Sequence, residues 1–183
     1  SGTEILGHIS SKLPETRVRG QEYIKNNLVE DYINAVLSQN PAKIKKLKIV
    51  LDCGNGAAGI IAPKLFKSLG HEVIELFCDV DGSFPNHHPD PSKIENLQDL
   101  IQKVKETKAD LGIAFDGDGD RLGVITNKGE ILFPDQLLML FAEDVLKSRP
   151  NEKIIFDVKC SKLLEEKILE NQGIPIMSPT GHF

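Results

Sequence analysis

Long apolar runs are missing from this sequence of 183 residues. No stretch approaches the roughly twenty uninterrupted apolar residues that a membrane-spanning helix needs, and the opening SGTEILGHIS has no signal-peptide pattern. These absences predict a protein of the cytoplasm that makes no use of a membrane. With 40% hydrophobic and 27% charged residues, the chain can still bury at least one full core.

An excess of basic residues is missing as well. The sequence has 22 lysines and arginines against 27 aspartates and glutamates, a formal net charge of -5, and only 5% of its residues are aromatic. Nucleic-acid-binding proteins present a basic stripe or an aromatic stacking surface, and neither pattern occurs here. Nucleic acid is therefore not expected as a partner.

Paired cysteines are the third absence. Cys53, Cys78 and Cys160 lie next to or within apolar, strand-like runs, and none of them forms a C-x-x-C pair. This placement predicts reduced, mostly buried thiols rather than a disulfide framework or a zinc site.

Hydrophobic periodicity predicts alternating helices and strands. A helix over residues 22–39 is followed by strand LKIVLD, helix GIIAPKLFKSLG, strand HEVIELF, helix IENLQDLIQKVKET and strand ADLGIAF. This order is βαβαβ. The segments LGVIT and EILF, joined by Asn127-Lys128-Gly129, have the pattern of a hairpin.

A second unit is predicted to begin near Pro134. It consists of helix PDQLLMLFAEDVLKS, strand KIIFDV, helix SKLLEEKILENQ and strand IPIM. Two strands are too few for a stable sheet of their own, so we expect a fragment of a longer protein. The predicted fold is a three-layer α/β/α domain with a mixed sheet over residues 21–131, followed by a truncated domain of similar type over 132–183. Residues 1–20 are expected to be a linker or the tail of a preceding domain.

The segment AFDGDGDRLG carries the strongest chemical signal. It places Asp116, Asp118 and Asp120 at alternating positions, with glycines between them, directly after a predicted strand. Three carboxylates this close repel one another unless a cation compensates them, and Mg²⁺ or Ca²⁺ accepts several carboxylate ligands. The glycines allow the backbone to turn so that the short side chains converge. The segment therefore predicts a metal-binding loop rather than a solvated acidic turn.

Two other classes of acidic loop are alternatives. An EF-hand fails because Arg121 stands where its glycine belongs and Asn127 where its final glutamate belongs. A haloacid-dehalogenase-like phosphatase, with Asp116 as the phosphorylated nucleophile, is less favoured because Asp120 replaces the usual Thr or Val of that motif. It stays open as an alternative.

The segment CGNGAAG matches a dinucleotide-binding fingerprint through Gly54, Gly56 and Gly59, with Glu75 near the distance expected for a ribose ligand. The same glycines also suit a tight turn between a strand and a closely packed helix. The structural turn is favoured, and a non-catalytic nucleotide-binding module remains an alternative.

Polar residues at other predicted strand ends are weaker candidates. The proline-rich segment DGSFPNHHPDP, with His87 and His88, is interpreted as a surface or interface loop, because neighbouring histidines point apart in an extended chain. Lys159 follows a strand, and His182 follows the last strand. These strand-end positions make both residues candidates for function.

Five segments together resemble one known family. FDGDGDR, preceded by VLDCGNGAAG and FPNHHPDP and followed by FDVKC and TGH, is similar to the α-D-phosphohexomutases, and FPNHHPDP favours their mannose/glucose branch of bacterial phosphomannomutases/phosphoglucomutases. The resemblance implies a four-domain enzyme that interconverts hexose 6-phosphate and hexose 1-phosphate through a phosphoserine and a 1,6-bisphosphosugar. In these terms residues 21–131 correspond to domain two and residues 132–183 to the start of domain three.

The resemblance also implies roles for individual residues. Asp116, Asp118 and Asp120 would hold Mg²⁺, and Arg121 would neutralise charge on the transferring phosphoryl group. Lys159, Thr180, Gly181 and His182 would contact the sugar phosphate, with Lys159 and His182 as candidates for proton transfer. Glucose 1,6-bisphosphate would serve as activator and intermediate, and the glycines from Gly54 to Gly59 would be scaffold.

The family's nucleophilic serine motif, its GEMSGH-like sugar-recognition loop and its phosphate-binding fourth domain do not occur in this sequence. We therefore expect the chain alone to be inactive and to need the remainder of a longer protein as its partner.

Overall fold

The computed structural model describes residue 7, residues 20–39 and residues 45–181. Helix α1 spans Leu28–Ser38 and buries Ile33. This helix begins six residues later than its predicted start at Glu22. Tyr23 and Ile24 lie before it and are each 81% exposed, so among the described residues they add no buried side chain to this helix.

The central sheet has five strands. They are β1 (Lys48–Asp52), β2 (Glu72–Leu76), β3 (Leu111–Phe115), β4 (Leu122–Thr126) and β5 (Ile131–Leu132). Their spatial order is β2-β1-β3-β4-β5. β1 pairs in parallel with β2 and β3, whereas β3–β4 and β4–β5 are antiparallel. The mixed sheet and the hairpin predicted from the sequence are thus confirmed.

Helices cover both faces of this sheet. The connections contain a 3₁₀ turn (Ala57–Ile60) leading into α2 (Ala62–Ser68), and a second 3₁₀ turn (Ile94–Leu97) leading into α3 (Gln98–Thr107). Side chains alternate along β1, so Val50 packs into the cluster under α3 while its neighbours Ile49 and Leu51 pack into the cluster under α2. Because both faces are buried, the predicted three-layer α/β/α arrangement is confirmed.

A second, smaller unit follows. It contains α4 (Pro134–Ser148), β6 (Lys153–Asp157), α5 (Lys162–Glu170) and β7 (Ile174–Ser178), and β6 pairs in parallel with β7. Five side chains form its buried core: Ala142, Leu146, Phe156, Leu164 and Ile168. Within residues 20–39 and 45–181, no helix is both long and apolar enough to cross a membrane.

Candidate metal and phosphate site

The acidic loop connects β3 to β4 at the carboxyl end of β3. Phe115 pairs with Leu122 across the two strands, and the Asp116 N–H donates to the Arg121 carbonyl at 3.3 Å. Gly119 takes a φ of +79°, a conformation that favours glycine. The loop is therefore a tight hairpin connection, and its length brings all three aspartates to one edge of the sheet.

The three carboxylates converge as the sequence predicts. One oxygen from each of Asp116, Asp118 and Asp120 lies within 4.8 Å of the others. Asp116 is 1% exposed, whereas the other two are exposed. The negative charge of Asp118, assisted by Asp116, raises the pKa of Asp120 above its usual value. Mutual repulsion of this kind among oxygen donors is the chemistry that a hard divalent cation relieves, so the residues fit Mg²⁺.

Arg121 is the positive group of this loop. Its backbone N–H donates to Oδ1 of Asp116 at 3.0 Å, and its Nε donates to Oδ2 at 2.6 Å. Burial acts to raise the pKa of Asp116, but these hydrogen bonds outweigh it and the pKa falls below its usual value. The guanidinium also lies 3.5 Å from Asp90, and its side chain is 61% exposed. Arg121 is thus anchored at one end and open to solvent at the other.

A second polar cluster lies at the carboxyl end of β6, around Asp157. The Lys159 N–H donates to Oδ1 of Asp157 at 2.8 Å, and the Lys159 ammonium lies 3.5 Å from Oδ2. The Thr180 hydroxyl donates to the same Oδ2 at 3.0 Å. The hydrogen bond from the Lys159 N–H lowers the pKa of Asp157 most, and the hydrogen bond from the Thr180 hydroxyl lowers it further. The structure therefore joins two predicted residues through a carboxylate that the sequence analysis missed. Gly181 follows Thr180, and His182 lies outside the described residues.

Two cavities share a wall between these clusters. One of about 290 Å³ is lined by Arg121, and another of about 630 Å³ is lined by Asp157 and Lys159. Phe133 and Pro134, at the start of α4, line both. Phe133 and Pro134 thus lie between the cavity beside Arg121 and the cavity beside Lys159.

The backbone amides of the glycine-rich turn after β1 donate hydrogen bonds within the protein. The Gly54 N–H donates to the Asp52 carboxylate at 2.9 Å. The Asn55 N–H donates to the Phe77 carbonyl at 2.7 Å, and the Ala57 N–H donates to the Gly117 carbonyl at 2.9 Å. These groups are therefore not free to bind a pyrophosphate. The structure accordingly favours the scaffold interpretation of CGNGAAG over nucleotide binding.

The glycines of this turn are required for close packing. A Cβ on Gly56 would lie 2.7 Å from the Gly117 carbonyl oxygen, and one on Gly59 would lie 2.0 Å from the Cys78 carbonyl oxygen. Glu75, the candidate ribose ligand, forms an ion pair with Lys67. The turn thus packs against the acidic loop on one side and against the chain after β2 on the other.

His87 also differs from its prediction. Its Nε2 lies 3.1 and 3.2 Å from the two carboxylate oxygens of Asp52, which is completely buried, and its own side chain is only 13% exposed. Burial raises the pKa of Asp52, although His87 and the Gly54 N–H act in the opposite direction. His88 remains exposed. The prediction of a surface or interface loop therefore suits the exposed His88, whereas His87 packs within the chain and ties this loop to the end of β1.

Comparison with known proteins gives this geometry a family. The model of the phosphoglucomutase/phosphomannomutase alpha/beta/alpha domain II matches residues 30–129, more than half of the chain. The chain belongs to the phosphoglucomutase/phosphomannomutase family. The model of alpha/beta/alpha domain III of the same family matches residues 133–183. The acidic loop lies in the first match, and the Lys159 cluster lies in the second.

Individual relatives are similar over most of this chain. A phosphomannomutase/phosphoglucomutase from Pseudomonas syringae is 61% identical over 156 residues, covering 85% of this chain and 33% of that protein. A phosphoglucomutase from Neisseria meningitidis is 56% identical over 152 residues, covering 83% and 33% respectively. The crystal structure of a phosphoglucomutase/phosphomannomutase family protein from Burkholderia thailandensis superimposes with a TM-score of 0.81 at 52% identity, covering 85% of this chain and 34% of that one. The chain thus spans about a third of the length of the relatives it matches.

Proposed function

We propose that this chain supplies the metal-binding loop and part of the sugar-phosphate site of a mutase that interconverts hexose 6-phosphate and hexose 1-phosphate. This proposal rests on one observation: in a member of this family, carboxylate oxygens of Asp116, Asp118 and Asp120 lie within 4.8 Å of one another, beside Arg121. The names of the Pseudomonas and Neisseria relatives favour glucose and mannose phosphates as substrates.

The three aspartates would hold Mg²⁺ through one carboxylate oxygen each. When bound, the ion would supply charge neutralisation for the phosphoryl oxygens during transfer. Asp116 is fixed by Arg121 and by burial, whereas Asp118 and Asp120 are exposed. The two exposed side chains can therefore adjust to the ion, and water must complete its coordination, so we expect weak Mg²⁺ binding by this chain.

Arg121 would hold the phosphoryl group beside the aspartates. Its Nε is engaged by Asp116, which fixes the direction of the guanidinium plane. The 61% exposure of the side chain leaves its terminal nitrogens accessible to a substrate. A planar guanidinium can donate two parallel hydrogen bonds to phosphoryl oxygens, which orients the group as well as neutralising it.

Lys159 and Thr180 would bind the sugar phosphate at the carboxyl end of β6. Asp157 holds both residues, and the Lys159 side chain is 71% exposed, so its ammonium can reach a ligand. Lys159 could then move a proton at the reacting hydroxyl. By family resemblance, Gly181 and His182 would belong to the same contact.

The reaction is proposed to run through a phosphoserine and a 1,6-bisphosphosugar, with glucose 1,6-bisphosphate as activator. The family's nucleophilic serine motif does not occur in this sequence, so this polypeptide alone should have no mutase activity. Measurable turnover of glucose 1-phosphate by the purified chain would contradict this part of the proposal.

A chimera tests the function directly. The aligned segment of the Pseudomonas syringae relative, 156 residues long, is replaced by the corresponding segment of this chain. The chimera should convert mannose 1-phosphate to mannose 6-phosphate. In that chimera Asp118→Asn should lower kcat about 100-fold, because it removes one of the three carboxylates that would hold Mg²⁺, the ion that balances the charge on the phosphoryl oxygens.

Asp144→Asn provides the matched control, since it removes an exposed carboxylate from α4 and should leave kcat unchanged. Calorimetric titration of the chain with Mg²⁺ should show weak binding that Asp118→Asn weakens further. The proposal fails if the folded chimera is inactive or if Asp118→Asn leaves turnover intact. Hydrolysis of p-nitrophenyl phosphate by the chain alone, abolished by Asp116→Ala, would instead favour the phosphatase alternative.

A further inference from the structure

Two cysteines meet just beyond the carboxyl ends of β1 and β2. Cys53 directly follows β1, and its N–H donates to the carbonyl of Leu76, the last residue of β2. Phe77 then takes a φ of +51°, a left-handed conformation between β2 and Cys78. The two sulfur atoms lie 3.2 Å apart. A disulfide bond is about 2.05 Å long, so closure requires them to approach by only about 1 Å.

The two thiols differ in accessibility and acidity. Cys53 is completely buried, whereas Cys78 is partly exposed. The hydrogen bond between the two sulfur atoms lowers the pKa of Cys78 and raises that of Cys53. A thiolate is the nucleophilic form of cysteine. Cys78 is therefore suited to react first with an oxidant, and Cys53 is placed by its 3.2 Å sulfur–sulfur distance to react with the oxidised product.

We propose that Cys53 and Cys78 are a redox-active pair that a peroxide oxidises to an intrachain disulfide. The Cys78 thiolate attacks one oxygen of the peroxide, the O–O bond breaks, and Cys78 sulfenic acid forms with release of hydroxide. The Cys53 sulfur then attacks the Cys78 sulfur, the S–O bond breaks, and the hydroxyl leaves as water with the Cys53 proton. The hydroxide takes up the proton that the Cys78 thiol lost on ionising, so two thiols lose two electrons in total and hydrogen peroxide is reduced to two waters.

The cysteine pair lies beside the glycine-rich turn that contacts the acidic loop. Gly59 packs against the Cys78 carbonyl on one side of the glycine-rich turn, and the Ala57 N–H donates to the Gly117 carbonyl of the acidic loop at 2.9 Å. A disulfide at Cys53 therefore forms at the base of the turn that contacts the acidic loop.

The test uses the whole chain and hydrogen peroxide. After oxidation, remaining thiols are alkylated and the protein is digested with trypsin without reduction. Cleavage after lysines places Cys53 in peptide 49–64 and Cys78 in peptide 68–93. Mass spectrometry should find these peptides joined, two hydrogens lighter than their sum, in a chain that runs as a monomer on a non-reducing gel. Dithiothreitol should separate them.

Three variants make the outcome decisive. Cys53→Ser and Cys78→Ser should each abolish the joined peptide, while Cys160→Ser, which removes a thiol in the second unit, should leave its yield unchanged. Circular dichroism checks that each variant is folded. The proposal is overturned if wild-type Cys78 is driven to sulfinic acid without cross-linking, or if the joined peptides come only from chains linked to one another.

Discussion

The loops after β1 and β3 resemble each other in sequence and differ in what they leave unsatisfied. Both follow adjacent parallel strands, both alternate glycine with polar residues, and they touch where the Ala57 N–H meets the Gly117 carbonyl. After β1, the buried Asp52 accepts from Gly54 and lies against His87. After β3, Asp118 and Asp120 remain exposed with their charges close together.

This difference shows how a structural turn can be separated from a binding loop. In the turn after β1, the protein itself provides a partner for the amides and for the carboxylate, and adding a Cβ to Gly56 or Gly59 would cause a clash. In the acidic loop Asp116 is buried and hydrogen-bonded to Arg121, whereas Asp118 and Asp120 are exposed and Asp120 lies only within 3.7 Å of the Arg121 guanidinium. Unsatisfied like charges, rather than the glycine spacing, are therefore the better indicator of a ligand site.

The largest expected effect is on packing in the first loop. Gly59→Ala should lower the free energy of unfolding by about 3 kcal/mol, because its Cβ would lie 2.0 Å from a backbone carbonyl that cannot easily move. Urea unfolding followed by circular dichroism measures this loss. Gly82→Ala is the control, because a Cβ there meets nothing within 4 Å, and it should have little effect. Equal stability of the two variants would refute the packing role.

The two loops should respond oppositely to removal of an aspartate. Asp52→Ala should lower the free energy of unfolding by about 2 kcal/mol, because the buried Gly54 N–H and the His87 ring lose their acceptor. Asp118→Ala should leave stability unchanged or slightly raise it, because it relieves the repulsion on Asp120. Both are compared by urea unfolding without divalent cations. A larger loss for Asp118→Ala would reverse our assignment of scaffold and binding loop.

A smaller effect is expected at Arg121. In the chimera, Arg121→Lys keeps the charge but loses the planar donor pair, so kcat and kcat/KM should both fall about tenfold, the effect of losing one hydrogen bond to a charged group. Steady-state kinetics with saturating glucose 1,6-bisphosphate measures both. A rise in KM with kcat unchanged would indicate that Arg121 only anchors the substrate.

The ends of helices and strands could be predicted from the sequence where local residues define them. They were predicted less accurately where packing defines them. Helix α4 begins at Pro134 and ends at Ser148 as expected, because proline suits the first turn of a helix. Helix α1 begins later than predicted, and Ile33 is its one buried residue, so its apolar spacing does not define where it starts. Strand β5 has two residues rather than the four predicted, since the helix starts at once after Phe133.

The candidate site shows the same division. The acidic loop was recognisable because its aspartates are neighbours in sequence. By contrast, His87 and Asp52 are separated by 35 residues, and Asp157 and Thr180 by 23. No local pattern reports such pairs, because they depend on which strand ends the fold brings together. The metal and sugar-phosphate roles of these residues stay predictions.

The tight connection between β3 and β4 also limits how this protein can change by insertion. Gly123 and Ile125 are buried along β4, while the alternating residues Leu122, Val124 and Thr126 are not. Side chains alternate along a strand, so one extra residue in the acidic loop would slip the register and turn Leu122, Val124 and Thr126 toward the core. Unless a bulge absorbed it, such an insertion would disrupt the sheet before any ligand was affected. The spacing of the aspartates is therefore constrained by strand register as well as by the geometry of a bound ion.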